Sequence, residues 1–552
     1  MKFSRRDLLV WGAGAAAGLV VTPVPWKLLD DTAKWSQNWP WIPQPARGPV
    51  EVKQSACTLC PNGCGLRVRM AGGWPIGVAG IATHPVTRGA LCPLAFGAHQ
   101  LNWHPERLKV VRRRGSASSW EDARAAFAKA CSSGRVVVID GYAGRAASSV
   151  LSEFAEKRGE YRVVHGAETR ALAPYEKWSG VATSALGYDL ENARTVVSFG
   201  TPLLDGWGVP GRFTRLWADK AAGQSDPQLR LIQIEPTLSR TASRAYQWIS
   251  VRSGSESALA SGVARVLLEE KLVAARGPMP ELTLADAALQ TGLQTDEIRE
   301  LARTIAAQTP AVAIAGDGNP SVAALNVVLG AVGTRGGIVR RSSSATSHLS
   351  ADAAIGSARA VLLDASVPWN FEPATDAEVF RFTAWNGGPT KSDWLLPAPG
   401  FVEELTDVPS APTSRVETYG IAPVLTKAMH KTQSCAEFLA SFDSSLDSAE
   451  KVIHARCAGM FRARKGSLRS RDEVAIAKIE SAQKLEEQLS SGAVWVGEPA
   501  LGGSIHCALK QWPAADAGSP VEMRGNWAAP VMPTLATKLY QESGLRESGR
   551  NA

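Results

Sequence analysis

Four cysteines are spaced for shared metal chemistry: Cys57, Cys60 and Cys64 in CTLCPNGC, and Cys92 in ALCPLAFG, giving C-x2-C-x3-C-x27-C. Thiolates are soft ligands, and three on one tight loop with a fourth from further along suit a [4Fe–4S] cube. Structural zinc would more often show two equal C-x2-C knuckles. Covalent haem attachment would need a histidine after the second cysteine, and Cys60 is followed by Pro61. Zinc and disulfides stay open as alternatives at this level. Gly63 and Gly65 flank Cys64, and glycine would let the loop wrap closely around inorganic sulfide. Cys131, Cys435, Cys457 and Cys507 are scattered and read as small buried apolar residues. No acid/base constellation accompanies the cysteines. The eight histidines are dispersed, with His104 and His165 reading as structural, and Asp317-Gly318-Asn319 reads as a turn after a strand.

The elements around these residues set the frame. A chain of 552 residues is too long for one simple core, so several packed subdomains are expected. The net charge of +8 is modest, and no Lys/Arg stripe is interleaved with aromatics, so nucleic-acid binding is not expected. The densest basic run, VVRRRG at 110–115, reads as a loop. Near the start, Arg5-Arg6 precede Leu8-Leu9 and a Gly/Ala-rich apolar stretch. Residues 1–30 therefore read as a twin-arginine signal, which exports folded proteins and places this one on the periplasmic side of the cytoplasmic membrane. The apolar run is short of the ~20 residues that span a bilayer. Residues 31–50 form a Trp/Pro-rich arm whose Trp35, Trp39 and Trp41 cover either the chain's own core or a partner.

Residues 51–112 read as a small cysteine-bearing domain, 113–440 as α/β domains and 441–552 as a reduced C-terminal region. RVVVIDG (135–141), RTVVSFG (194–200), LRLIQIEP (229–236), PAVAIAG (310–316) and RAVLLDA (359–365) read as buried parallel strands. SALASGVARVLLEEKLV and TDEIRELARTIAAQ read as intervening helices, so the fold class is α/β with doubly wound layers. No G-x-G-x-x-G follows any of these strands, which disfavours a dinucleotide dehydrogenase. Residues 366–440 read as loop-rich, and a charged helical segment is expected through RSRDEVAIAKIESAQKLEEQLSS.

The twin-arginine leader, the cysteine spacing and RGALCPLAFGAHQLNWHPERLK together resemble the start of molybdopterin oxidoreductases of the dimethyl-sulfoxide-reductase superfamily. The likeness continues through YDLENARTVVSFGTPLLDGWGVPGRF, ALNVVLGAVGTRGGIV and SDWLLPAPGFVEELTDVP. Within the superfamily, PWKLLDDTAKWSQNWPWIP is similar to the molybdopterin-binding-like subunits of menaquinone reductase complexes, with polysulfide reductases and alternative complex III as further relatives. The resemblance implies a [4Fe–4S] cluster on Cys57, Cys60, Cys64 and Cys92. It also implies a ferredoxin-like iron–sulfur subunit, a quinone-binding integral membrane subunit and a multihaem cytochrome c as partners. The chain departs from the family in three places. Leu94 and Ala95 stand where catalytic members carry a lysine between cluster and pterin. Ala171 stands near the expected metal ligand, with Glu168 or Thr169 able to substitute only in a shifted alignment. The chain is also short for the family, mainly between 340 and 360 and towards its C-terminal end. These departures imply a degenerate molybdopterin site, with molybdopterin guanine dinucleotide not expected and the chain not itself catalytic. In the alternative, an active molybdenum or tungsten reductase, Gly200, Asn319 and Gly337 would contact the pterin nucleotides.

Overall fold

The computed structural model describes residues 4–21, 28, 48–274, 276–316, 318–341, 349–351, 355–365, 375–386, 392–411, 413–497 and 505–513. Most of the Trp/Pro-rich arm, with all three of its tryptophans, and the closing polar tail lie outside them. The chain divides into two units, Met1–Val50 and Glu51–Ala552. In the first, α1 (Arg5–Val21) starts where Ser4 and Asp7 cap each other, the Ser4 N–H donating to Asp7 Oδ2 and the Asp7 N–H to Ser4 Oγ. Among the described residues, no helix is long and apolar enough to cross a membrane.

The second unit begins on β1 (Val50–Ala56), followed by β2 (Gly65–Ala71) and β3 (Trp74–Gly80) in a three-stranded sheet. Gly72 and Gly73, both at positive φ, make the two-residue turn between β2 and β3, which favours glycine because both central residues are left-handed. The short α2 (Pro93–Gly97) follows, with proline in its first turn. Next, β4 (Arg112–Arg113) and β5 (Ser116–Ala117) form an edge hairpin, so VVRRRG is not a plain loop. Then α3 (Trp120–Ser133), β6 (Val136–Asp140), α4 (Ala146–Arg158) and β7 (Gly159–Val163) begin the parallel part of a large mixed sheet.

The chain leaves that sheet to build a second lobe. It runs through α5 (Ala167–Arg170), α6 (Ala173–Ser179), β8 (Leu186–Tyr188), β9 (Thr195–Phe199), α7 (Pro210–Lys220), β10 (Arg230–Ile234) and β11 (Gln247–Ile249). It continues through α8 (Glu256–Glu269), α9 (Leu284–Thr291), α10 (Thr295–Ala307), β12 (Ala311–Ala315), α11 (Pro320–Val328) and β13 (Ile338–Arg340). Leu259, Val263, Ile298, Leu301 and Leu325 pack its helices onto Val197, Ile232 and Ala313. The chain then returns with β14 (Leu349–Ser350), β15 (Ala360–Asp364), β16 (Glu378–Thr383) and β17 (Trp394–Pro397). Phe127, Phe154, Phe380 and Phe438 centre the core of this first lobe.

The last region holds β18 (Thr406–Val408), β19 (Thr418–Ala422), α12 (Cys435–Phe442), α13 (Ala449–Ala463), β20 (Ser467–Arg469), β21 (Glu473–Ala475), α14 (Ala482–Ser490) and β22 (Val494–Val496). Two expectations are corrected here. RSRDEVA turns back as the β20–β21 hairpin, because Ser470 and Asp472 close a turn between them and Val474 pairs with Leu468. The 366–440 stretch holds two further parallel strands, β16 and β17, whose apolar faces (Phe380, Phe382, Trp394, Leu396) fill the sheet core.

Strand order explains where a ligand would sit. The four-stranded parallel sheet runs β11-β10-β9-β12, and the eight-stranded sheet runs β14-β7-β6-β15-β16-β17-β4-β5. Strand succession reverses between β9 and β12 in one, and between β6 and β15 in the other. Such reversals open a crevice at the carboxyl ends of the strands, where ligands bind in open α/β sheets.

Candidate metal centre

The cysteine loop joins β1 to β2. The Cys57 N–H donates to the Cys64 carbonyl at 2.8 Å, closing the loop so that Cys57, Cys60 and Cys64 turn into the core with Leu66, Val68 and Leu94. Cys92 approaches from the other side as the residue capping α2. Backbone N–H groups face the sulfurs: Leu59 towards Cys57, Asn62 towards Cys60, and Leu94 and Ala95 towards Cys92. Leu94 and Ala95 therefore serve the site through their amides while their side chains stay apolar and buried.

Electrostatics set a condition on any group that binds these thiols. Burial, then the nearby Cys92 sulfur, pushes the Cys57 thiol up to about 12. Burial and mutual repulsion raise Cys60 and Cys64 well above the ordinary thiol range, and burial raises Cys92. Four thiolates cannot share this space unless a multiply charged cationic group holds them, and iron deprotonates its thiols outright. Among the described residues, no three His, Cys, Asp or Glu side chains are placed to hold a metal ion between them. A single zinc would draw its sulfurs to about 3.8 Å from one another. A cube binds each thiolate at a separate corner and needs a wider quartet. The residues fit a [4Fe–4S] cluster.

The loop is braced by residues its cysteine pattern does not reveal. Asn62 is buried and donates from Nδ2 to the Gly208 carbonyl at 2.7 Å, tying the loop to the second lobe. His84 is buried, its Nδ1 accepts from the Val86 and Thr87 N–H groups, and burial lowers its pKa to about 4, so the ring is neutral. Gly63 has φ +57°, and a Cβ there would lie 2.2 Å from Val408 Cγ1; one on Gly65 would lie 2.7 Å from His84 Cδ2. Neither glycine thus has room for a Cβ, Gly63 against Val408 and Gly65 against His84. Behind them lies a ≈ 10 Å³ cavity, lined in part by Ser55, His84 and Val408.

The crevice between β6 and β15 adjoins the cysteines. Asp140 and Asp364 end those strands, and Arg145 lies between them, at 2.5 Å from Asp364 and 3.7 Å from Asp140. Burial opposes charge on Arg145, but Asp364 and Asp140 outweigh it and its pKa rises. Arg456 binds Asp407 at 2.7 Å beside them. A ≈ 30 Å³ cavity remains, lined by Arg145, Asp364, Glu404, Asp407 and Ser434 among others, which is room for about two waters. Tyr142, two residues beyond β6, packs in the same cluster as the cysteines. A tyrosine directly after a buried strand that ends in Asp-Gly is the signal that could have found it.

At the second crevice, between β9 and β12, the chain fills its own space. Trp207 is fully buried, donates from Nε1 to the Gly316 carbonyl at 2.9 Å and stacks on Phe213. Ala171 is buried in this apolar core with Leu172, Tyr175 and Trp207. Glu168 is buried, and burial raises its carboxyl to about 7. The Thr169 N–H and carbonyl are both used in the local turn. Asn319 caps α11, accepting from the Ser321 and Val322 N–H groups. Gly337 lies against the Ala331 carbonyl, and Gly200 ends β9 with its N–H on Ile234. Cys435 and Cys457 are buried as read, whereas Cys131 and Cys507 are only half-buried.

Residues 50–101 match the molybdopterin oxidoreductase Fe4S4 domain. The chain is 30% identical over 365 residues to the menaquinone reductase, molybdopterin-binding-like subunit, of Nitratidesulfovibrio vulgaris, a match covering 61% of this chain and 52% of that protein. It is 27% identical to the major subunit of the nitrate-inducible formate dehydrogenase of Escherichia coli, over 50% of this chain and 29% of the relative. The chain thus spans about half the length of the first relative and less of the second. In fold it is similar to acetylene hydratase from Pelobacter acetylenicus, with a TM-score of 0.59 at 12% identity over 81% of this chain and 74% of the other. Those two curated relatives and this shared fold bear out the resemblance to the molybdopterin oxidoreductases and the α/β fold class.

Proposed function

We infer, for a chain related to the molybdopterin oxidoreductases, that it is the molybdopterin-oxidoreductase-like subunit of a membrane-bound quinone reductase complex. It faces the periplasm after twin-arginine export and works in electron transfer or as a scaffold rather than as a catalyst. Cys57, Cys60, Cys64 and Cys92 hold one [4Fe–4S] cluster, which supplies one-electron storage and transfer when bound. The observation that carries this reading is a four-thiol pocket, with Cys57, Cys60 and Cys64 buried and Cys92 half-buried, in a chain that places alanine, deep in an apolar core, at position 171. Alanine offers no donor to molybdenum or tungsten. The same direction is supported by Trp207 at one strand crevice and the Asp140–Arg145–Asp364 ion cluster at the other. A menaquinone reductase subunit among the relatives supports a place in such a complex; the partners proposed for it, from the sequence resemblance, are a ferredoxin-like iron–sulfur subunit, a quinone-binding membrane subunit and a multihaem cytochrome c.

A second reading, an active molybdenum or tungsten reductase, is favoured by Glu168, a buried carboxyl three residues from Ala171. Metal analysis of the purified chain separates the two. Iron with acid-labile sulfide and no molybdenum or tungsten is the expected result, with an EPR signal on reduction. Equimolar molybdenum or tungsten with pterin would overturn the first reading, and zinc alone would overturn both.

A further inference from the structure

Tyr142 is fixed through its backbone and ring, while its hydroxyl has no hydrogen-bond partner among the described residues. Its N–H donates to Asp140 Oδ1 at 2.8 Å, and its carbonyl accepts from Arg145 Nε at 3.0 Å and from Ser148 Oγ at 3.2 Å. The Arg145 guanidinium lies 4.8 Å over its ring. The residue is 1% exposed, and Oη is buried without a hydrogen-bond partner. A buried hydroxyl left without a partner loses the hydrogen bonds it would make to water, so a side chain fixed this way points to a missing acceptor. Cys57 and Cys60 belong to the same buried core cluster as Tyr142, which joins the end of β6 to the cysteine loop. Asp407, also near, is already used by the Ala146 N–H and Arg456.

We propose that Tyr142 donates a hydrogen bond from Oη to the iron–sulfur cluster, at a thiolate or sulfide sulfur on the Cys57–Cys60 side, and thereby sets the cluster's reduction potential. This rests on the reading that the four cysteines hold a cluster. The reduced cluster carries one more negative charge than the oxidised one. A donor at sulfur therefore favours the reduced form and raises the potential, as outer hydrogen bonds do at iron–sulfur centres. Arg145 and Asp140 fix the tyrosine, so the crevice at the end of β6 and the cysteine pocket act as one assembly.

The test is a redox titration of the full chain followed by EPR, comparing wild type with Tyr142→Phe and with Tyr175→Phe, whose hydroxyl accepts from Asn326 instead. With iron and sulfide content equal, Tyr142→Phe is expected to lower the midpoint by up to about 59 mV, a tenfold change in the reduced-to-oxidised ratio. Tyr175→Phe is expected to leave it unchanged. A midpoint unmoved by Tyr142→Phe overturns the proposal and leaves the cluster reading intact. If the variant loses its iron, wild-type protein carrying tyrosine labelled with ¹⁷O at the phenol decides. A ¹⁷O coupling to the reduced cluster by ENDOR is expected, and its absence overturns the proposal. Wild-type protein without iron overturns both readings.

Discussion

The four-stranded and the eight-stranded sheet both reverse strand order between parallel neighbours and treat the resulting crevice in opposite ways. Beside β6 the crevice is ionic: Asp140, Arg145, Asp364, Asp407 and Arg456 interlock, and Tyr142 reaches from them towards the cysteines. Beside β9 it is apolar, stoppered by Trp207 against Phe213, Tyr188 and Ala171. Burying several charges is no efficient route to stability, since well-packed apolar groups of equal volume do as well or better. The second lobe shows this fold can close such a crevice with tryptophan. The charges at the first are therefore explained by what they position, a tyrosine and a strand end beside four thiols.

The contrast can be broken from either side. The largest effect is expected from Cys60→Ala, which removes a corner ligand of the cluster: iron and labile sulfide should fall to background and the reduced EPR signal should vanish. Next, Arg145→Met leaves Asp140 and Asp364 buried without their cation and should cost about 3–5 kcal/mol by denaturant unfolding. Trp207→Ala opens a cavity in the apolar crevice and should cost a similar 3–5 kcal/mol. It should leave the cluster midpoint where it was, whereas a shift would show that the two crevices are coupled.

A pH effect of smaller size follows from Glu168. Its carboxyl is raised from 4.5 to about 7 by burial, so between those values the folded chain holds a proton that the unfolded chain releases. Stability then falls as pH rises through that window, by up to about 3 kcal/mol, and levels off above it. Glu168→Gln should remove this slope, raising Tm relative to wild type at pH 8 and matching it near pH 4. The smallest change is expected from Ala171→Cys. With Trp207 in place, restoring a thiol donor should leave molybdenum and tungsten at background by metal analysis, and stoichiometric uptake would show that the missing donor alone had disabled the site.

Much of the scaffold was legible in single segments. VVVID, TVVSF, RLIQI, AVAIA and AVLLD are short, apolar and β-branched, and each became a parallel strand within a residue or two of its expected bounds. Charge and short apolar runs misled elsewhere. RSRDEVA is as polar as a solvated helix, but its turn and the Leu468–Val474 pair make a hairpin. EVFRFT and WLLP sit among loop residues, and only the sheet they join marks them as strands.

The four cysteines and their spacing were decided by the sequence alone, because ligand identity and loop length depend only on the order of residues. Thiols at C-x2-C-x3-C form one short loop in any compact fold. Tertiary structure decided everything about what surrounds them. It brought Cys92 to the loop and aimed the Leu94 and Ala95 amides at its sulfur. It tied Asn62 to Gly208, 146 residues away, and set Tyr142 from the end of β6 against Cys57 and Cys60. These partners are distant in the chain, and only the packing of the lobes makes them neighbours.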